Sequence, residues 1–249
     1  MQVEWEITMK CNYNCFYCSN LDKSIHAVLD EETIYNFIKT LGEKYPGVEI
    51  FVFGGEPFVH PKIDYIIKCF NELNVPFVIQ TNLSKYSVDV INTIKHPFTL
   101  QVSIHPTEIS LEELNSIFNT SANIRVIDVM YGSKNALQYY FKVKELSDCK
   151  NIFLTPITDF GDGRSDELLD SYLKVKNNIG LKNIIRFEEV KRLGKDRSLL
   201  WADKKFRTKG KPCLYKDQYF LYGPDLEMYN CCYRIKTDGI CPKNKCFLM

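Results

Sequence analysis

Two groups of cysteines carry most of the chemistry this sequence could perform. The chain has ten cysteines in 249 residues. Three fall in one short run, Cys11-Asn12-Tyr13-Asn14-Cys15-Phe16-Tyr17-Cys18, and five crowd the far end as Cys213, Cys231, Cys232, Cys241 and Cys246. Cys69 and Cys149 stand alone and read as buried thiols. A secreted disulfide scaffold would be smaller and would carry a signal. Here the N-terminus, MQVEWEITMK, has acids and a lysine where a signal would be apolar. A cytoplasmic location and metal-ligating thiolates are therefore expected. Three thiolates leave a four-iron cluster with one iron that has no protein ligand, and an open coordination position is where chemistry happens. A structural zinc site wants four ligands, usually in two pairs, and no partner pair lies near Cys11–Cys18 in sequence.

A second constellation is Phe53-Gly54-Gly55-Glu56-Pro57-Phe58-Val59-His60-Pro61. Two adjacent glycines allow a backbone to approach a ligand closely, and Glu56 offers a partner for an ammonium group. Alone, Gly-Gly-Glu-Pro would be read as a turn. His60 and His105 follow short apolar runs and could face a substrate, although a lone histidine is more often a structural hydrogen-bonding group. Asp159-Phe160-Gly161 matches a kinase triplet, but the kinase companions are missing and it reads as a loop.

The elements that must position these groups follow from periodicity. Apolar runs rich in β-branched and aromatic residues recur at Val3–Thr8, Glu49–Phe53, Pro76–Thr81, Phe98–Ile104, Asn123–Met130 and Asn151–Thr155, with a further candidate at Asn183–Glu188. They read as buried strands. Helical patterns lie between them at Glu31–Lys44, Ile63–Leu73, Ser87–Ile94, Leu111–Phe118, Ala136–Leu146 and Asp166–Ile179, with Asp30 and Ser110 as N-caps. Alternating strands and helices imply parallel pairing. The fold class is α/β, and the unit count fits a partial (β/α)6 TIM-like barrel or an open doubly wound sheet. Cys11 follows the first strand and Gly54 ends the second, so both motifs sit at strand C-terminal ends, where such folds gather catalytic groups.

The strand–helix pattern stops near residue 189. Residues 190–212 hold nine Lys/Arg against two Asp. This basic linker is either a solvated connection or a collar that attracts an anionic substrate. Residues 213–249 are rich in turns and poor in core-forming residues, the kind of segment that a metal often staples. Within it, Leu221–Cys231 reads as a β-hairpin that delivers a cysteine. Four cysteines there could hold zinc or iron and sulfide, and the spacing alone does not separate the two. The formal net charge of +1 argues against nucleic acid and membrane surfaces, and no apolar run approaches the roughly 20 residues of a membrane span.

Together the two motifs resemble the radical S-adenosylmethionine (SAM) superfamily over about residues 1–188, with Tyr17 as the aromatic before the last cysteine of a CxxxCxxC signature and Gly54-Gly55-Glu56-Pro57 as the loop that holds the methionine amino group of SAM. The resemblance implies a core barrel over 1–189 and a 4Fe-4S cluster on Cys11, Cys15 and Cys18. It implies SAM bound at the open iron, and reductive cleavage to a 5′-deoxyadenosyl radical that abstracts a substrate hydrogen. Thr81, Asn82 and Ser103 match positions where polar groups meet the SAM carboxylate and ribose. The tail resembles the SPASM/Twitch auxiliary domains, with Pro224-Asp225-Leu226 where the family has a Pro-Asp-Gly turn. That likeness implies a small Cys-rich C-terminal auxiliary domain over 213–249, with a second 4Fe-4S cluster on Cys213, Cys231, Cys241 and Cys246. Such an enzyme would take electrons from flavodoxin or ferredoxin and complete a two-electron oxidation of a small molecule or a peptide. The alternative is a structural zinc tail behind a redox-neutral isomerisation or C–C bond formation.

Overall fold

The computed structural model describes residues 1–16, 18, 27–133, 135–156, 209–213, 215–231 and 234–241. Tyr17, Cys232, Cys246, the helix expected at 166–179, the strand expected at 183–188 and most of the basic linker lie outside the described residues.

Eight strands form one sheet: β1 (Gln2–Thr8), β2 (Ile50–Gly54), β3 (Phe77–Thr81), β4 (Thr99–Ile104), β5 (Asn123–Tyr131), β6 (Ile152–Pro156), β7 (Tyr219–Tyr222) and β8 (Met228–Tyr229). Their order is β6-β5-β4-β3-β2-β1-β7-β8, an open sheet. Every neighbouring pair is parallel except the antiparallel β7–β8 hairpin. The helices are α1 (Glu31–Lys44), α2 (Ile63–Glu72), α3 (Lys85–Ile91), α4 (Leu111–Ile117) and α5 (Ala136–Leu146). None is long and apolar enough to cross a membrane, among the described residues. The mostly parallel α/β sheet is a partial TIM-like barrel of the kind expected.

Local chemistry starts the helices where the sequence predicts. Asp30 accepts the Thr33 N–H at 2.7 Å to cap α1, and Ser110 and Glu113 form a reciprocal capping box on α4. α3 begins at Lys85 rather than Ser87, because the Ser84 hydroxyl accepts the Ser87 N–H at 3.2 Å and so supplies the cap two residues earlier.

The two sheet faces differ in kind. Parallel partners share a face, and successive residues alternate. One face carries Val3, Trp5, Ile7, Ile50, Val52, Ile79, Leu100, Val102, Ile104, Ile127, Val129, Ile152 and Leu154. All are buried in one cluster with Ile34, Ile38 and Leu41 of α1 and Ile66, Ile67 and Phe70 of α2. The other face carries the polar side chains of the sheet, Glu4 and Glu6 on β1, Gln80 on β3, Gln101 and Ser103 on β4, Asp128 on β5 and Thr155 on β6, among Phe51, Phe53, Val78, Val126, Met130 and Phe153; Gln80 pairs with Gln101 and Ser103 with Asp128. These side chains bond along the face, Gln80 Nε2 to Ser103 Oγ at 3.3 Å, Gln101 Nε2 to Asp128 Oδ2 at 3.4 Å and Thr155 Oγ1 to Asp128 Oδ1 at 3.1 Å.

The polar face is concave. Arg125 Nη1 lies 2.6 Å from both Glu49 oxygens, although β3 and β4 separate their strands. On a flat sheet that gap would be roughly 14 Å, three strand spacings, so the sheet curls and the long side chains close the rest. The pair sits at the N-terminal end of β2 and β5, opposite the cysteine loop.

β7 and β8 lie within the segment expected as an auxiliary domain, and they extend this same sheet. Gln2–Trp5 pairs in register with Tyr219–Tyr222, and the predicted hairpin over 221–231 is present as β7 and β8. Leu226, where the resembled turn has glycine, adopts φ 65°. Tyr215, Tyr219 and Leu221 form a small second core that Cys213, Tyr229 and Phe53 pack against.

Candidate functional site

The site is built where β1 and β2 end side by side. β1 stops at Thr8, and Met9 and Lys10 lead into the Cys11 loop. β2 turns out through Gly54 and Gly55. The Gly55 N–H donates to Thr8 O at 2.8 Å and the Glu56 N–H to Lys10 O at 2.8 Å. A Cβ on Gly54 would lie 2.0 Å from Thr8 O, and one on Gly55 would lie 2.0 Å from Lys10 O. Gly54 also has φ 146°, a conformation costly for any residue with a side chain. The close approach that the glycines allow is thus to the backbone that carries the cysteines.

Glu56 is fully buried. Its Oε1 accepts from Thr81 Oγ1 at 2.8 Å and Phe58 N at 3.1 Å, and its Oε2 accepts from Asn82 N at 2.7 Å. Burial pushes its pKa up to about 7, against the pull of the Asn82, Phe58 and Thr81 donors. The carboxylate expected to meet an ammonium group therefore also ties the end of β2 to the end of β3. With the Ser87 side chain as a further hydrogen-bond partner, the protein's own donors fill the about four acceptor positions of the group. Pro57 opens a 3-10 turn, Pro57–Val59, whose cap is Glu56 itself.

Asn82 joins this clip to the cysteine loop. Its Nδ2 donates to Asn12 Oδ1 at 2.9 Å and approaches Cys11 Sγ at 3.8 Å, and Asn12 Nδ2 donates to Ser84 Oγ at 2.6 Å. The Tyr13 N–H donates to Cys11 Sγ at 3.3 Å. His105, beyond the end of β4, places Nδ1 3.9 Å from Cys15 Sγ and sets its ring edge to the Tyr13 ring. Burial lowers the pKa of His105 to about 4, so the ring is neutral. His60 is also buried, and its Nδ1 accepts the Lys62 N–H at 3.2 Å inside the turn before α2, a local structural role. Ser103 faces the concave side and receives Gln80.

The loop from Cys11 to Cys18 thus presents half-buried thiols, with N–H donors beside Cys11 and an imidazole nitrogen beside Cys15. Such donors suit sulfur that carries negative charge, as thiolate ligands of a cluster do. The residues present fit a cluster at this loop. Among the described residues, no three His, Cys, Asp or Glu side chains converge on a single ion.

In the C-terminal segment, the Cys213 N–H donates to Gly239 O at 2.6 Å and the Cys241 N–H to Lys211 O at 2.9 Å, around a bridge between Pro212 and Ile240. Cys213 and Cys241 therefore sit on adjacent backbone segments. The Cys231 turn is closed by paired bonds between the Asn230 side chain and the Thr237 backbone at 2.7 and 2.8 Å. Cys69 is buried as expected, whereas Cys149 is half-buried, its thiol donating to Arg125 O at 3.4 Å, because it lies in the exposed turn before β6.

Sequence reasoning missed the link between the two cysteine segments. Arg234 donates from Nε to Glu6 Oε2 at 2.5 Å and from Nη2 to Glu6 Oε1 at 2.6 Å, and Nη2 also reaches Met9 Sδ at 3.4 Å. Glu6 is buried on β1, two residues before the strand ends. Beside it, half-buried Glu4 accepts from Tyr219 OH and Gln2 Nε2 at 2.5 Å each, and desolvation raises its pKa. The signal for these groups was the strict alternation of Gln2, Glu4, Glu6 and Thr8 with Val3, Trp5 and Ile7, which marks a two-faced strand.

An open, curled parallel sheet with a thiol loop at the end of β1, locked to a glycine loop at the end of β2, defines an α/β fold of the radical SAM kind. Residues 5–110 match the family model of the Radical SAM superfamily. No curated protein sequence matches the chain significantly. Among solved structures, Streptococcus suis SuiB bound to S-adenosylmethionine superposes with a TM-score of 0.61 at 12% identity, covering 93% of this chain and 60% of that one. SuiB bound to precursor peptide SuiA gives 0.58 at 12% identity, over 99% of this chain and 63% of that one. Histidine-tagged anSMEcpe with bound AdoMet gives 0.55 at 16% identity, over 94% and 75%. The chain thus spans a little under two thirds of the length of SuiB, and at these identities the likeness is one of fold.

Proposed function

We propose that the protein is a radical SAM enzyme that binds a 4Fe-4S cluster on Cys11, Cys15 and Cys18 and SAM beside it, and uses them to remove a hydrogen atom from a substrate held against the concave face. The observation that carries this reading is the backbone lock between the Cys11 loop and the Gly54–Glu56 loop, with Glu56 held by Thr81 and Asn82. When bound, the cluster supplies the electron that cleaves SAM. The chain's own residues position it: Gly54 and Gly55 set the thiol loop, and the Gly54–Pro57 loop would hold the amino group. Thr81, Asn82 and Ser103 line the strand ends where the ribose and carboxylate would lie, and the curled sheet shields the reacting atoms from water.

The second cysteine segment is proposed as an auxiliary iron–sulfur site on Cys213, Cys231, Cys241 and Cys246, which would accept the second electron of a substrate oxidation. The adjacency of Cys213 and Cys241 supports that grouping. The substrate is a small molecule or a peptide, and SuiB, whose structure holds precursor peptide SuiA, lends support to the peptide. Flavodoxin or ferredoxin would deliver the electrons.

Anaerobic reconstitution with iron and sulfide tests the reading, followed by iron, sulfide and zinc counts and a dithionite assay for 5′-deoxyadenosine. About eight irons with SAM cleavage is the expected result. About four irons with one zinc would keep the radical chemistry and assign the tail a structural role. Absence of both stable iron and SAM cleavage would overturn the proposal.

A further inference from the structure

Of the groups placed next to cysteine sulfur, His105 is the one whose chemistry the proposed reaction leaves unused. It lies just past the end of β4, 90 residues from Cys15 in sequence, yet its Nδ1 is 3.9 Å from the Cys15 sulfur. Its ring is fixed edge-on to Tyr13, with centroids 6.1 Å apart and planes at 79°. Cys11 already receives the Tyr13 N–H at 3.3 Å and faces the Asn82 amide at 3.8 Å. Two of the three loop thiols thus have a nitrogen within hydrogen-bonding reach, and on Cys15 that nitrogen belongs to an imidazole brought in from beyond a different strand.

We propose that His105 is a positioning residue that donates its Nδ1–H to the Cys15 sulfur and thereby raises the reduction potential of the cluster. This inference rests on the assignment of Cys15 as a cluster ligand. A hydrogen bond to a thiolate is stronger the more negative the sulfur, so it stabilises the reduced state more than the oxidised one. Hydrogen bonds to cluster sulfurs are among the factors that set potential over a wide range, and groups behind the ligands tune metal sites generally. The reduced cluster would then be easier for a protein donor to reach, and would hold back the electron until SAM is in place. Asparagine can put an amide N–H where the histidine Nδ1 stands, whereas phenylalanine keeps a ring against Tyr13 and removes the donor. The two substitutions therefore separate the N–H from the packing.

The test is a dye-mediated reductive titration of the reconstituted full-length protein without SAM, followed by electron paramagnetic resonance. His105→Phe is expected to lower the one-electron reduction equilibrium about tenfold, equivalent to about 59 mV, while His105→Asn stays near wild type. An unchanged potential in His105→Phe would overturn the proposal. So would equal shifts in both variants, which would mean that the ring acts by packing alone, or loss of iron from both, which would mean a purely structural role. A second measurement does not depend on either variant folding: pulsed resonance on reduced wild-type protein labelled with 15N-histidine. It should show a ring nitrogen coupled to the cluster spin, and its absence would refute the hydrogen bond. If wild-type protein binds no cluster at all, the failure belongs to the proposed function and not to this inference.

Discussion

Substituting Gly55 by alanine should do far more than a glycine-to-alanine change ordinarily does. The new Cβ would lie 2.0 Å from Lys10 O, 2.5 Å from the Lys10 carbonyl carbon and 2.7 Å from Met9 O. All three are backbone atoms, so no rotamer can relieve the contact, and the ends of β1 and β2 must separate by about 1 Å to restore ordinary van der Waals distance. That movement breaks the Gly55 N–H to Thr8 O and Glu56 N–H to Lys10 O bonds, both 2.8 Å. Two lost hydrogen bonds cost about 1 kcal/mol each, and an unsatisfied buried N–H adds about 1–3 kcal/mol. The sum is about 3–5 kcal/mol, which for a chain of this size lowers the melting temperature by roughly 6–20 °C. Gly47→Ala is the control: Gly47 has φ 72° with nothing within 4 Å of its added Cβ, so it should cost only about 1–2 kcal/mol. Thermal unfolding of both apo variants measures the stability, and iron content after reconstitution reports the thiol loop. A Gly55→Ala protein that melts with wild type and takes up four irons would refute the lock between the loops.

Glu56 should give the protein a pH dependence of a definite sign. Its folded pKa of about 7 lies above the usual carboxylate value of 4.5, so its contribution is fully present below pH 4.5 and is lost as pH rises through 7. Relative to Glu56→Gln, the wild-type apo protein should lose about 3 kcal/mol across that window, and a difference flat with pH in denaturant titrations would refute the burial argument. Arg234→Ala leaves buried Glu6 without its partner and should cost about 3–5 kcal/mol; the double variant Arg234→Met with Glu6→Gln should recover most of the loss, and no recovery would mean that Arg234 acts by packing. Cys213→Ala should lower the iron count by about four yet leave SAM cleavage measurable, and an unchanged count would remove Cys213 from the auxiliary site.

Much of the barrel was legible because its signals are local. Each of the six strands β1–β6 is a short β-branched or aromatic run, and Asp30 and Ser110 announce their helices by capping chemistry that acts within four residues. The cysteine and glycine motifs were legible for the same reason: both are continuous in sequence. What they touch was not. Glycines at 54 and 55 were expected to make room for a ligand, but the backbone they admit belongs to residues 8–10, and only the parallel register of β1 and β2 brings it there. The Arg234–Glu6 pair joins residues 228 positions apart, and no periodicity encodes such a contact. The polar concave face was present in the alternation of Gln2 to Thr8, but a parallel sheet covered on both sides favours an unbroken apolar run, and the strand was read that way. Leu226 marks another limit. A glycine there would have announced the turn, whereas a leucine held at φ 65° has to be carried by the packing of its side chain against the core.

The pairing of β7 with β1 has a consequence for how the chain is made. Strand β1 leaves the ribosome long before β7, and β7, which covers its outer edge, ends at Tyr222. At synthesis rates of roughly 5–20 residues per second, the nascent chain carries β1 with that edge unpaired for about 10–40 seconds. An open strand edge beside apolar residues such as Trp5 and Ile7 is a template for pairing with another chain. Folding yield in the cell should therefore depend on how fast translation reaches residue 222 and on what shields the edge meanwhile, so that slowing synthesis late in the message would favour aggregation even though every residue of the finished protein is unchanged.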